Sequence, residues 1–166
     1  MKRDPQLGMS LLEVTVVVMM ILVLSAIAIP GVVSARNSYR LQIATDAIRQ
    51  QLYLCRQHAL VANQLCSIQI GATGKSKIDT NHNGTFGDGG GDGIPADEPA
   101  TRLDLTDITL SSADTPIVRR FTSRGEVSWQ DGPENQSITV IHAGMKRVIT
   151  IQQRGAISIG DELRAS

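Results

Sequence analysis

Apolar and polar positions change their pattern twice along this chain. From Met9 to Ile29 (MSLLEVTVVVMMILVLSAIAI) the residues are almost wholly apolar and include a single charge, Glu13. As a helix this run would measure about 31 Å, enough to cross the hydrocarbon core of a bilayer. From Val32 to about Asn63 the apolar residues fall every third or fourth position. Leu41, Ala44, Ile48, Leu52, Cys55, Ala59 and Ala62 form one stripe, and Arg40, Asp46, Arg49, Gln50, Arg56 and Gln57 occupy the opposite face. The spacing predicts that the helix continues, now amphipathic, with its apolar face against a sheet. From Arg102 the period drops to two. Leu103 and Leu105 alternate with polar neighbours, as do Ile108 and Leu110. Strands are predicted at Pro116–Phe121, Glu126–Trp129, Ser137–His142, Arg147–Gln152 and Ala156–Ile159, separated by Arg124-Gly125, Asp131-Gly132-Pro133, Ala143-Gly144 and Arg154-Gly155. Short strands joined by such turns predict an antiparallel sheet or two small sheets.

Between the helix and most of these strands lies residues 71–99, rich in Gly, Asp and Asn, which reads as a long loop. Within it Asp79, Asn81 and Asn83 place oxygen side chains at alternate positions ahead of Gly84, as at the start of an EF-hand calcium loop. Gly90 stands where the closing Glu of such a loop belongs, and Asp88, Asp92, Asp97 or Glu98 would have to supply that ligand from a wider loop. Calcium is therefore a candidate ligand, and a polar turn fixed by Asx hydrogen bonds is the alternative.

Charge and composition narrow the function. Lys plus Arg and Asp plus Glu are equal at 16 each, and only 3% of residues are aromatic, which argues against a base-stacking surface. No GxSxG, HExxH or Walker A sequence is present. His58, His82 and His142 lie in separate elements with no nucleophile signalled beside them. The glycine-rich stretch 87–93 is acidic and would repel phosphate. Nothing in the sequence points to an enzyme. Cys55 sits on the helical stripe and Cys66 at the start of the following segment, so they are candidates for a disulfide; two buried free thiols are the alternative.

The apolar run invites two simple explanations. It is longer than the core of a secretory signal peptide and lacks a small-residue cleavage site. A plain membrane anchor leaves Gly8, Glu13 and Pro30 unexplained. Taken together these residues resemble the N-terminus of type IV pilins and type II secretion pseudopilins. There a short basic leader ends in Gly, a prepilin peptidase cuts after it and methylates the new N-terminus, and the fifth mature residue is Glu. Here the leader would be residues 1–8, ending at Gly8, with Met9 as the methylated N-terminus where the family usually has Phe. Glu13 would be the assembly residue and Pro30 the helix-kinking proline. Arg56, Ala59 and Asn63, the block Phe121–Gly125 and the stretch Val148–Ile159 resemble the GspH/FimT family of minor pilins and pseudopilins.

That resemblance implies an α+β, pilin-like fold: a long N-terminal helix, its membrane half apolar and its second half amphipathic, packed on an antiparallel β domain. The expected organisation is a leader at 1–8, a transmembrane or filament-core helix at 9–29, its amphipathic continuation at 30–63, and a β domain at 64–166 carrying the loop at 71–99. It also implies a structural subunit that initiates or caps a type IV pilus or a type II secretion pseudopilus. Its partners would be the prepilin peptidase, other minor and major pilins or pseudopilins, and the bacterial inner membrane. Lys2 and Arg3 would hold the N-terminus in the cytoplasm and place the C-terminal domain in the periplasm. The alternative is a DNA-binding minor pilin of an uptake pilus, with Arg147 and Arg154 on nucleic acid. A membrane-anchored sensor or adhesin is a third, weaker class.

Overall fold

In a computed structural model the described residues are 10–71, 75–80, 86, 101–103, 105, 107–111, 116–128 and 137–164. They fall into two compact units, residues 1–37 and 38–166. Helix α1, Leu11–Ala62, supplies all the described residues of the first unit except Ser10, and the helical part of the second.

In the first unit α1 is exposed on nearly every face: Leu11, Met19, Leu22, Leu24 and Ile27 are all more than 60% accessible. Such a helix has no buried side to define a stripe, as expected of a segment whose partners are lipid or other helices. Its hydroxyls are satisfied internally. Thr15 Oγ1 donates to the Leu12 carbonyl (2.8 Å) and Ser25 Oγ to that of Ile21 (2.7 Å). In hydrocarbon those bonds remove the cost of two free donors. Pro30 lies inside α1, so the Ala26 carbonyl loses its helical N–H partner.

In the second unit α1 is amphipathic. Leu41, Ala44, Thr45, Ile48, Gln51, Leu52, Cys55 and Ala59 are buried, a three-and-four spacing that leaves Gln42, Gln50 and Gln57 in solvent. The buried face begins at Leu41, the first residue of the expected stripe. One detail differs from the sequence reading: Ala62, expected on the stripe, is exposed. It is the last residue of α1. Asn63 adopts φ 52°, and the Gln64 N–H reaches back to the Ala59 carbonyl (3.2 Å), a Schellman-type stop that Asn tolerates better than a branched residue.

The strands form two antiparallel sheets. Sheet I has the order β3-β2-β1-β5, from β1 (Cys66–Ile70), β2 (Lys75–Asp79), β3 (Thr101–Arg102) and β5 (Ile117–Phe121). Sheet II has the order β4-β6-β7-β8, from β4 (Thr109–Ser111), β6 (Ser137–His142), β7 (Met145–Ile151) and β8 (Ile157–Ile159), with β9 (Leu163–Arg164) paired beside β7. Alternate residues point inward: Cys66, Ile68 and Ile70 from β1, Ile117 and Phe121 from β5, Ile138 and Val140 from β6, Ile149 and Ile151 from β7. They close a single core with the helical stripe.

Strand β2 falls inside the stretch read as loop 71–99. Its sequence, KSKID, alternates, but neighbouring Gly and Asn residues mask the period. Leu103 and Leu105 are buried as expected, yet outside any strand. Around the expected strand 126–129, Val127 makes only an isolated bridge to Phe121, and Trp129 lies outside the described residues.

Candidate functional site

The sequence places function at the N-terminal end of α1. Gly8 and Met9 lie outside the described residues. Ser10 sits just before the helix, and its carbonyl accepts from the Glu13 and Val14 amides at 3.0 and 3.2 Å. Ser10-Leu11-Leu12-Glu13 therefore has the sequence of a capping box, with Glu13 in the first turn. There the unpaired amides and the helix dipole favour a carboxylate, which gives Glu13 a local stabilising role besides any pairing with a neighbour. One turn further on, Val16, Met19, Met20, Val23 and Leu24 line a shallow apolar groove along the helix. The arrangement is one carboxylate at the head of an uncovered apolar rod. It can bind through apolar contact and one counter-charge; it holds no catalytic constellation.

The other candidate residues lie in the second unit. Cys55 and Cys66 face each other, sulfur to sulfur, at 2.8 Å, both free and fully buried. Burial pushes the Cys55 thiol far up, and its hydrogen bond and proximity to Cys66 and the nearby Asp79 charge push the same way. Of the calcium candidates, Asp79 ends β2 opposite Ser67, and is fully buried and already bonded. Asn81, Asn83, Asp88 and Asp92 lie outside the described residues. Among the described residues no cluster of three His, Cys, Asp or Glu could hold a metal.

The two arginines suggested for nucleic acid stand in different surroundings. Arg147, near the start of β7, is half-buried, and its Nη2 lies 3.6 Å from Glu162, which also accepts a hydrogen bond from Ser38. Arg154 is exposed in the turn after β7. Arg119, on β5 in the other sheet, is 1% exposed and donates to the Val118 carbonyl at 2.7 Å.

Sequence reasoning missed a fastening device. The chain makes two equivalent turns, Thr122-Ser123-Arg124-Gly125 and Gln152-Gln153-Arg154-Gly155, each closed by a Gly amide on the first carbonyl at 2.7 Å. Both glycines have positive φ, 73° and 78°. The turns touch: the Val127 amide donates to the Gln153 carbonyl, and a Cβ on Gly155 would lie 1.8 Å from the Gly125 oxygen. Arg56, projecting from α1, donates Nε to the Gly125 carbonyl (3.0 Å) and Nη2 to that of Arg154 (3.4 Å). One guanidinium thus ties the helix to both sheets. The repeated Arg-Gly dipeptide was the available signal. Arg56, Ala59 and Asn63 now each have a reason: the clamp, a small residue under the sheet, and the left-handed stop.

No protein-family model matches the sequence, and no curated protein matches it. Solved structures do. The type IV minor pilin FimU of Pseudomonas aeruginosa PAO1, in a P21 crystal, aligns over 75% of this chain and 90% of its own with TM-score 0.58 and 18% identity. The same protein in a P65 crystal aligns over 72% and 92% with TM-score 0.55. The minor pseudopilin EpsH of the Vibrio cholerae type 2 secretion system gives TM-score 0.47 over 71% and 94%, at 16% identity. A long helix on antiparallel sheets, matched at this level, gives the chain the fold of a type IV minor pilin.

Proposed function

We propose that this protein is a minor pilin or minor pseudopilin: a structural subunit, not an enzyme, that starts or caps a type IV pilus or a type II secretion pseudopilus. One observation carries the reading. A single helix is apolar and uncovered in its first half, with Glu13 in its first turn, and is packed in its second half into a domain of minor-pilin fold. Length and apolarity suit that first half to a membrane. Packing it among like helices in a filament core would bury the same surface, and Glu13 would pair with the methylated amino group of a neighbouring Met9. In low dielectric that pair offsets the desolvation of both charges. The subunit would be cut between Gly8 and Met9 by a prepilin peptidase and held in the inner membrane with its C-terminal domain in the periplasm. There it would await other pilins.

The test is direct. Intact mass and N-terminal sequencing of the membrane-extracted protein should give methylated Met9, and cells lacking the protein should make fewer filaments. Co-purification should recover other pilin subunits. An N-terminus at Met1 in peptidase-positive cells, with unchanged filament number on deletion, would sink the reading.

A further inference from the structure

Cys55 and Cys66 bring two nucleophilic groups together at a place no assembly role uses. Each sulfur is fully buried, and the two are 2.8 Å apart. Each is carried by a rigid element: Cys55 by α1, between Leu52 and Ala59 of the buried stripe, and Cys66 by β1, where it pairs with Phe121 of β5. Bridging two cysteines requires that the side chains already face each other, and at 2.8 Å the two sulfurs stand within about 1 Å of the bonded separation. The chain between them is short. It contains the end of α1, the left-handed Asn63 and the turn into β1, so a bond would close a small loop around the helix stop.

The same geometry sets the order of events. Neither sulfur is accessible once the domain has packed, and burial holds the Cys55 thiol protonated. The attacking species in exchange is the thiolate, so the reaction belongs to the open chain. We propose that Cys55 and Cys66 form a disulfide that fastens α1 to sheet I, installed before the helix closes onto that sheet. The donor is the disulfide of an exported thiol–disulfide oxidase; this rests on the export part of the proposed function. One cysteine thiolate attacks a donor sulfur, giving a mixed disulfide and releasing the donor's other sulfur as a thiolate. The second cysteine thiolate attacks the chain's own sulfur in that mixed disulfide, forms the Cys55–Cys66 bond and expels the donor as a dithiol. The chain loses two protons and two electrons, and the donor disulfide gains them. The bond stands one residue from Arg56, so a covalent fastener and a hydrogen-bonded clamp hold the same end of the helix.

The experiment uses the full chain extracted from membranes, alkylated under denaturing conditions before and after reduction, with intact mass on the same sample. The expected result is no label before reduction and two labels after it. Reduction should lower the thermal midpoint by about 10 °C. The reduced protein should also lose stability as pH rises past the ordinary thiol value of 9.0, where the unfolded chain releases a proton that the folded Cys55 keeps, and the bridged protein should not. Folded reduced protein should be oxidised by a dithiol donor at least about tenfold more slowly than the same chain in denaturant. Two labelled thiols in a chain cut after Gly8 would overturn the disulfide while leaving the pilin reading intact. A bridged chain still beginning at Met1 would support the disulfide and count against pilin processing. Equal oxidation rates for folded and unfolded chains would overturn the proposed order.

Discussion

Leu24 and Leu52 lie on the same helix and have the same side chain, yet Leu24 is 67% exposed and Leu52 is at 0%. Helix propensity does not separate them. What differs is cover. Leu52 shares one core with both sheets and with Leu41, Ala44, Ile48, Cys55 and Ala59 of its own helix, whereas among the described residues Leu24 lines a shallow groove with its own helical neighbours. Fully burying such a side chain is worth about 1.5–3 kcal/mol, so the first unit holds a large unrealised association energy and the second has already spent its share on folding. The two halves therefore respond to substitution through different observables: folding for residues 38–166, and partnering for residues 11–37.

The largest expected effect lies where the second unit is most tightly closed. A side chain at Gly155 meets the Gly125 carbonyl at 1.8 Å and must adopt φ 78°. Gly155→Val should cost about 3 kcal/mol or more, read as a drop of roughly 10 °C or more in the melting of the full chain. A variant with an unchanged melt would show that the twin turns are not packed as described. Leu52→Ala comes next, at about 2–5 kcal/mol from lost transfer and a residual cavity. Leu24→Ala should move the same melt by less than about 0.5 kcal/mol. Equal losses from the two would dissolve the contrast between the halves.

How legible this was follows from the period of each region. A 21-residue apolar run with one charge admits few structures, and the three-and-four stripe from Leu41 to Ala59 gave the packed face. Ser137–His142 was readable to the residue because Ile138, Val140 and His142 alternate cleanly between turns. Strand β2 was not, because Lys75 and Lys77 look like loop and only pairing with β1 makes Ser76 and Ile78 inward-facing. The Arg56 clamp was invisible for a related reason. Its acceptors are main-chain carbonyls 69 and 98 positions away, and a carbonyl leaves no mark in side-chain chemistry. At the head of α1 the residue types alone suggested Glu13, but Ser10 three residues before it adds the capping reading, which counting charges does not reveal.

Glu13→Leu tests the uncovered half. The change removes the first-turn carboxylate, costing the helix end a few tenths to about 1 kcal/mol, and it removes a charge that is expensive in hydrocarbon. Membrane extraction should be unchanged or improved, and the melt of the second unit unaffected. Recovery of the protein with filaments should fall by at least about tenfold, the ratio set by 1.4 kcal/mol of lost pairing. Undiminished incorporation would reduce Glu13 to a helix cap.

The smallest effect is expected where the second unit offers its exposed surface to an outside ligand. Duplex DNA is held by counterion release, so binding needs several unpaired cations on one face and weakens steeply with salt. Among the described residues, the two arginines the sequence suggests differ in availability. Arg147 is half-buried and ion-paired with Glu162, Arg154 stands exposed in a turn beyond the end of β7, and Arg119, a further strand arginine, is inside sheet I at 1% exposure. The whole chain is formally neutral. Mobility shift of the full chain at physiological salt should therefore give weak binding or none, and Arg154→Ala should change it by less than about twofold, since one phosphate contact contributes little on its own. Arg147→Ala should instead lower the melt by about 1 kcal/mol, because Glu162 loses its partner beside Ser38. Sub-micromolar binding that falls as salt rises, and that both substitutions abolish without altering the melt, would reverse this ranking. The exposed surface of the second unit would then be a nucleic-acid receptor, and the contrast with the first unit would become one between two binding faces rather than between a finished core and an unfinished one.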